Sequence, residues 1–142
     1  MSNKDNPKLG RAFQEEVLAW FNKNREPDFI IEKAIYIGFP AHSHRFDIGN
    51  KTGSIVVECK NYSWTETGNV PSAKIRGLNE AVFYFSFLPT ETEKILVMTK
   101  ATHSSKSETL AEYYVRTNGH LLGDVKVYEY NAAADEMRPI KL

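Results

Sequence analysis

The sequence RFDIGNKTGSIVVECK, residues 45–60, decides how this chain folds. Two short apolar runs flank a turn-forming Gly-Asn-Lys-Thr-Gly segment, and this pattern predicts a β-hairpin. Asp47 lies on the first strand, and Glu58 and Lys60 end the second. Because side chains alternate along a strand, Glu58 and Lys60 share one face, and the turn returns Asp47 beside them. We therefore expect two carboxylates and an amine together at one edge of a sheet.

These three side chains have a common chemistry. A pair of carboxylates is what a hard divalent cation such as Mg²⁺ binds. An ammonium group nearby can stabilise negative charge that develops on a phosphate. Cys59 lies between Glu58 and Lys60 and faces the opposite side, so we interpret its side chain as a small buried hydrophobe rather than a nucleophile.

The composition is that of an ordinary globular protein. The chain has 142 residues, of which 42% are hydrophobic and 25% charged, and this predicts one soluble domain spanning residues 1–142. The formal net charge is zero, so a polyanion would have to meet a local basic patch, a second subunit or a metal. A single cysteine excludes an internal disulfide, and no run of about 20 apolar residues occurs. We expect a cytoplasmic protein without a membrane segment.

The elements alternate between helix and strand along the chain. Apolar periodicity predicts an α/β fold of order α-β-β-β-α-β-α-β, with a mixed sheet packed between helices. The third helix is predicted to open at a capping box, Ser105-x-x-Glu108. The predicted segments are a helix over 7–24 capped by Asn6, strands over 29–39, 45–49 and 55–60, a loop over 40–44, a helix from 71–72 to before 89, a strand over 94–99, a helix that opens at Ser105 and ends at 118, a strand over 125–130 and an edge strand over 137–142.

The first helix carries an acid at the border of its apolar stripe. With 100° between successive residues, Glu16 falls between Leu9 and Trp20, whereas Glu15 faces water. An acid that faces inward needs a partner or a chemical role. The alternative is an edge glutamate whose carboxylate reaches solvent or pairs with a lysine.

Asp47, ten intervening residues and then Glu58-Cys59-Lys60 resemble the motif of the PD-(D/E)xK nuclease superfamily, which has the restriction-endonuclease-like fold. The predicted order αβββαβ over about residues 9–100 is similar to the core of that fold, with a C-terminal helix and strands added. Within the superfamily, the chain looks most like the Holliday-junction-resolvase and Mrr-like branches, whose first helix carries a glutamate, matched here by Gly10-x-x-Phe13-x-x-Glu16. The residue before Asp47 is Phe46, where the family motif has proline.

The resemblance implies a Mg²⁺- or Mn²⁺-dependent deoxyribonuclease, an endonuclease that cuts DNA by attack of metal-activated water. It implies Asp47, Glu58 and the backbone carbonyl of Cys59 as metal ligands. Lys60 would orient the attacking water or stabilise the charge on the phosphate. Glu16 would bind the metal directly or through water, or hold a second ion. From chain length and resemblance we also expect a homodimer.

Several side chains near this motif are candidates for nucleic-acid contacts, and each has a structural alternative. The polar residues of the second helix border the expected site, or they form an ordinary solvated face. The aromatic residues after the third strand could stack on bases, or they could pack on their own domain. The candidates are Lys74, Arg76 and Asn79 on the helix, Tyr62 and Trp64 after the strand, and His44 in the preceding loop.

Three functions remain open from the sequence. The first is the metal-dependent phosphodiesterase acting on DNA. The second is a nucleic-acid-binding module or subunit that keeps the fold without cutting. The third is an unrelated α/β domain whose acidic hairpin is only a surface feature, since Asp-x(10)-Glu-x-Lys also occurs by chance in strand-rich proteins.

Overall fold

The computed structural model describes residues 7–141. It confirms the predicted order of helices and strands and makes the C-terminal segment a sixth strand. A single 3₁₀ turn, Gly119–Leu121, follows the third helix. The elements are α1 (Pro7–Asn24), β1 (Ile30–Ile37), β2 (His42–Gly49), β3 (Ile55–Lys60), α2 (Ser72–Phe85), β4 (Glu93–Thr99), α3 (Leu110–Asn118), β5 (Lys126–Asn131) and β6 (Glu136–Ile140).

The strands form one mixed, open sheet whose spatial order follows the chain, β1-β2-β3-β4-β5-β6. The neighbours β3, β4 and β5 are parallel, and the outer pairs are antiparallel. Parallel neighbours need crossover connections, which α2 and α3 supply. The carboxyl ends of β3, β4 and β5 therefore lie at one edge of the sheet.

Helices cover both faces of the sheet, which gives an α/β fold with two cores. The core on the α1 side takes three side chains of α1 itself, and the core on the α2–α3 side holds the larger number of residues. The first contains Phe13, Val17, Phe21, Phe29, Ile48, Ile55, Val57, Ile95, Val97 and Tyr130. The second includes Phe46, Val56, Trp64, Leu78, Phe85, Leu96, Met98, Leu110, Tyr114 and Val127.

Both strands of the β1–β2 hairpin change face partway along their length. On β1, Ile31 packs on the α1-side core, but Ile35 packs on the α2–α3-side core, although both occupy odd positions. On β2, Ile48 and Phe46 are divided between the two cores in the same way. The change occurs where Glu32 adopts a φ of 53°, opposite Asp47. Regular alternation predicts no such change, and it leaves the backbone of Asp47 outside the β1–β2 ladder.

Two sequence-based boundaries are wrong. Residues 42–44 were predicted to be loop but belong to β2, because they pair with residues 35–37 of β1. The capping box of α3 lies at Thr109 and Glu112 rather than at Ser105 and Glu108. The predicted cap at Asn6 lies outside the described residues. Within residues 7–141, none of the helices is sufficiently long and apolar to span a bilayer.

Candidate active site

The strands β2 and β3 pair over only two positions, Ile48 with Val57 and Gly49 with Val56, and then separate. We call the gap beyond these pairs the β2–β3 fork. Inside it, the backbone N–H of Cys59 donates to Oδ2 of Asp47 at 2.8 Å. The backbone N–H of Asp47 donates to Oε1 of Glu58 at 2.9 Å. Carboxylate oxygens thus take the place of ladder carbonyls, and the two acids are fixed side by side as the sequence predicts.

Burial makes this pair of carboxyl groups electrostatically unusual. Desolvation raises the pKa of Asp47, although the bond from Cys59 and the charge of Lys60 oppose the shift. Desolvation and the neighbouring charge of Asp47 raise the pKa of Glu58 to about 8. Ionising two neighbouring carboxyl groups that are buried away from water costs much free energy, so at neutral pH the pair retains a proton. A cation placed between the carboxylates would replace that proton.

The backbone of Cys59 also faces the β2–β3 fork. In a strand the N–H and C=O of one residue point toward the same neighbour, and the N–H of Cys59 points to Asp47. Its carbonyl is therefore directed into the gap, beside the two carboxyl groups. Burial raises the pKa of the Cys59 thiol well above its usual value, so the side chain remains protonated and is a poor nucleophile.

The residue of α1 that reaches this site is Gln14, which the sequence analysis missed. Its side-chain Nε2 donates to the backbone oxygen of Asp47 at 2.7 Å. Helical spacing in the sequence could have identified Gln14, because it lies three residues before Val17 and seven before Phe21, on the buried stripe of α1. A polar residue on that stripe must find a partner, and Gln14 holds the backbone of Asp47 in place.

Glu16, by contrast, is not brought together with the pair. Its side chain is exposed, and its charge acts on the hydroxyl of Tyr130 in β5. Within residues 7–141, no group of three or more His, Cys, Asp or Glu side chains is arranged to hold a metal ion. A cation at the β2–β3 fork would therefore have two carboxylate ligands and would take its remaining ligands from backbone, water and substrate, which is usual for Mg²⁺.

Lys60 and Lys74 both lie close to one aromatic ring. Nζ of Lys60 is 5.8 Å and Nζ of Lys74 is 5.2 Å from the ring centre of Tyr62. The ring packs against α2 at Gly77, where an added Cβ would lie 2.8 Å from the Tyr62 hydroxyl oxygen. The absence of a side chain at Gly77 thus lets Tyr62 pack against α2, with both lysines near its ring. This places a second cation beside the Glu58–Lys60 strand end.

Two other candidates lie on the same side of the sheet. His44 stacks on Tyr84 of α2 with ring centres 3.9 Å apart, and burial lowers its pKa against the opposing charge of Asp47. His44 is therefore neutral near pH 7 and contributes no cation. Arg76 is exposed on α2, one turn before Glu80.

The structure corrects two of the proposed nucleic-acid contacts. Trp64 is only 2% exposed, and its Nε1 donates to the carbonyl of Ala101, so its ring is not available to stack on a base. Asn79 lies between α2 and α3, where it accepts from the hydroxyl of Tyr114 and donates to Asn118. Both residues hold the α2–α3 side of the domain together.

Comparison of the chain with protein-family models, with curated proteins and with solved structures gives no match. The geometry of the β2–β3 fork and of the lysines beside it is therefore the basis on which a function can be inferred.

Proposed function

We propose that this protein is a Mg²⁺- or Mn²⁺-dependent phosphodiesterase of the restriction-endonuclease-like fold that hydrolyses DNA. The observation that carries the proposal is the buried pair of acids at the β2–β3 fork. Asp47 and Glu58 are held by reciprocal bonds to each other's strands, and the charge of Lys60 only partly offsets the effect of their burial. Such an arrangement destabilises the metal-free protein and is explained if a cation completes it.

The residues at the fork fit a hard divalent cation. Asp47 and Glu58 supply carboxylate oxygens, and the Cys59 carbonyl supplies a third oxygen from the same side. One oxygen of each carboxylate is already oriented by a backbone N–H, so the donors are positioned before any ligand arrives. Bound there, a divalent cation would lower the pKa of a water molecule and offset charge on the scissile phosphate.

The other residues of the site bind and orient the substrate. Lys60 follows Glu58 by two positions on the same face, so its ammonium can reach the oxygens of the phosphate being cut. Lys74, whose ammonium lies 5.2 Å from the centre of the same Tyr62 ring, would bind a neighbouring phosphate of the same strand. Gln14 keeps the backbone of Asp47 in position. These roles require only local positive charge and are compatible with a net charge of zero.

The test is cleavage of a panel of labelled DNAs, comprising duplex, nicked, flap, four-way-junction and single-stranded forms, with Mg²⁺, Mn²⁺ or EDTA. We expect metal-dependent cleavage of at least one form. Lys60→Ala should abolish it, whereas Lys51→Ala, which removes an exposed lysine at the opposite end of the same hairpin, should not.

The outcomes separate the possible functions. Cleavage that survives in Lys60→Ala would point to a contaminating nuclease and contradict the assignment. Metal-independent retardation of one DNA form without cleavage would favour a nucleic-acid-binding module of the same fold. Neither cleavage nor binding would overturn the proposed function.

A further inference from the structure

The loop after β3 and the loop after β4 lie side by side at the edge of the sheet where Glu58 and Lys60 end their strand. The two strands are parallel neighbours, so their carboxyl ends, at Lys60 and Thr99, meet at this edge. The indole N–H of Trp64 in the first loop donates to the carbonyl of Ala101 in the second at 3.2 Å. In open α/β sheets, ligands bind outside the carboxyl ends of the strands. The surface of these two loops therefore continues the candidate active site.

His103, in the loop after β4, forms bonds to both loops. Its Nε2 lies 2.8 Å from the backbone oxygen of Glu66, and its Nδ1 lies 2.8 Å from Oγ of Ser105. The backbone N–H of Ser105 also donates to Nδ1, at 3.1 Å. A carbonyl can only accept and a backbone N–H can only donate, so these bonds require an imidazole with its proton on Nε2. His103 thus connects the turn formed by residues 103–106 to the loop after β3.

A glycine makes this connection possible. Gly68 has a φ of 84°, and a Cβ at this position would lie 2.9 Å from two atoms of the His103 ring and would overlap Oγ of Ser105. Both the backbone conformation and the close approach of the ring favour glycine. Within the turn, the backbone N–H of Lys106 donates to the carbonyl of His103 at 2.9 Å. The backbone of Lys106 is therefore fixed by the same cluster of contacts.

The side chain of Lys106 places a third cation near this edge. Its Nζ lies 5.0 Å from the ring centre of Trp64, and the residue is exposed. A cation over an indole ring is attracted to it by about 0.5–1 kcal/mol at exposed sites. Tyr62, whose ring lies close to both Lys60 and Lys74, precedes Trp64 by two residues. Because a chain extends by at most about 3.6 Å per residue, the Cα atoms of Tyr62 and Trp64 are at most about 7 Å apart.

We propose that Lys106 binds a backbone phosphate of the DNA strand that is cut, and that His103 is the residue that positions it. The inference rests on the proposed function and adds the path of the substrate, which runs from Lys60 past Tyr62 and across the carboxyl ends of β3 and β4. A cation that is already restrained loses less freedom when it binds, which favours affinity. The contact is to phosphate and not to a base edge, so it orients the strand without reading its sequence.

The test for Lys106 is DNA binding by fluorescence anisotropy over a range of salt concentrations, in Ca²⁺ so that binding is measured without cleavage. Lys106→Gln removes the charge and keeps part of the aliphatic stem over Trp64. We expect it to weaken binding several-fold and to reduce the slope of log K against log salt by about 0.9. Lys106→Arg should keep the wild-type slope. Lys51→Ala, which removes an exposed lysine at the opposite end of the β2–β3 hairpin, should keep it as well.

The test for His103 is a double-mutant cycle with Lys106. Lys106→Gln should weaken binding less in a His103→Ala background than in wild type, because the ammonium is no longer positioned there. His120→Ala is the matched control, since His120 is exposed in the 3₁₀ turn after α3. In that background Lys106→Gln should have its full effect. Urea unfolding without DNA measures any loss of stability in each variant.

The outcomes separate this inference from the proposed function. If wild type binds DNA and Lys106→Gln keeps the wild-type slope, the inference is overturned and the proposed function is not. Loss of stability in Lys106→Gln with an unchanged slope would show that this lysine only covers Trp64, which would also overturn it. An equal effect of Lys106→Gln with and without His103 would overturn the positioning role of His103. Absence of DNA binding in wild type would overturn both the inference and the proposed function.

Discussion

Two buried glutamates on the same side of the sheet have opposite surroundings. Glu129 on β5 is 2% exposed and accepts from Nε of Arg138 at 2.8 Å. Arg138 also donates to Glu112 at 3.1 Å, so a cation lies between the two acids. Glu58 on β3 is 8% exposed, but the charge that acts on it most strongly is that of another carboxylate, Asp47.

The contrast is the one expected between an acid that stabilises the fold and an acid that takes part in the proposed function. At Glu129 the chain supplies its own counter-charge, and removing that counter-charge should damage the fold. At Glu58 the chain supplies a backbone N–H donor and a second acid, and the charge of Lys60 only partly offsets the negative charge of the pair. A buried site that is arranged at a cost to stability is a common feature of catalytic and ligand-binding residues.

The largest expected effect is on cleavage. Asp47→Asn and Glu58→Gln should each reduce metal-dependent DNA cleavage by at least about 10³-fold, equivalent to about 4 kcal/mol, because a carboxylate ligand is lost. Glu129→Gln should retain cleavage within about tenfold, since Glu129 faces Arg138. Single-turnover rates on the best DNA substrate measure both effects. Equal loss in all three variants would mean that the two glutamates do not differ in role.

The next effect is on stability at the other glutamate. Arg138→Ala should lower the free energy of unfolding by about 2–3 kcal/mol, because it leaves Glu129 buried without its partner. The value is below that of a fully buried pair because the Arg138 side chain is 48% exposed. Lys60→Ala, which removes the cation next to Glu58, should change the free energy of unfolding by less than about 1 kcal/mol. Urea unfolding measures the stability of both variants. A similar loss of stability in the two would mean that Glu58 and Glu129 do not differ in how they depend on a neighbouring cation.

The pH dependence of stability should carry the signature of Glu58. The pKa of Glu58 is about 8 in the folded protein and 4.5 in the unfolded chain. Below pH 4.5 the carboxyl is protonated in both states, so the difference in pKa does not change the free energy of unfolding. As the pH rises toward 8, the unfolded chain releases the proton and the folded protein does not, so stability is lost. In the absence of metal, Glu58→Gln should therefore be more stable than wild type by about 2–4 kcal/mol above pH 8 and equal to it near pH 4.

Urea unfolding of wild type and Glu58→Gln at several pH values in EDTA measures this difference. A variant less stable than wild type at pH 8 would show that the carboxyl of Glu58 stabilises the fold.

The smallest expected effect concerns Lys74. If this lysine binds a phosphate next to the scissile one, Lys74→Ala should weaken DNA binding several-fold and reduce the slope of log K against log salt by about 0.9. Lys51→Ala should leave the slope unchanged. Fluorescence anisotropy in Ca²⁺ or EDTA measures both without cleavage. An unchanged slope in Lys74→Ala would remove Lys74 from the proposed DNA path.

The sequence predicted the sheet and the juxtaposition of Asp47 and Glu58 because both depend on short-range rules. Alternation along β3 places Glu58 and Lys60 on one face, and the turn between β2 and β3 returns Asp47 to them. The spacing of apolar residues gives both crossover helices, although the predicted start of α3 is several residues too early. Such features follow from neighbours in the chain and need no knowledge of packing.

The errors come from contacts between distant segments. Trp64 looked available for stacking, but its partner Ala101 lies 37 residues away. Asn79 is engaged by α3, which helix periodicity in α2 does not reveal. The choice of Glu16 over Gln14 followed from charge, whereas position on the buried stripe was the better guide. The change of face at Glu32 and Asp47 follows from the positive φ of Glu32, which the residue types do not predict.

The central claim is that Asp47 and Glu58 form a cation site, and thermal unfolding at pH 8 with increasing Mn²⁺ or Mg²⁺ tests it most directly. A ligand that binds only the folded state at 100 times its Kd stabilises by about 2.7 kcal/mol, which raises Tm by several degrees. We expect this rise in wild type and in Glu129→Gln, and its loss in Asp47→Asn and Glu58→Gln. A Tm that does not respond to metal in wild type, or that rises equally in all four proteins, would contradict the account.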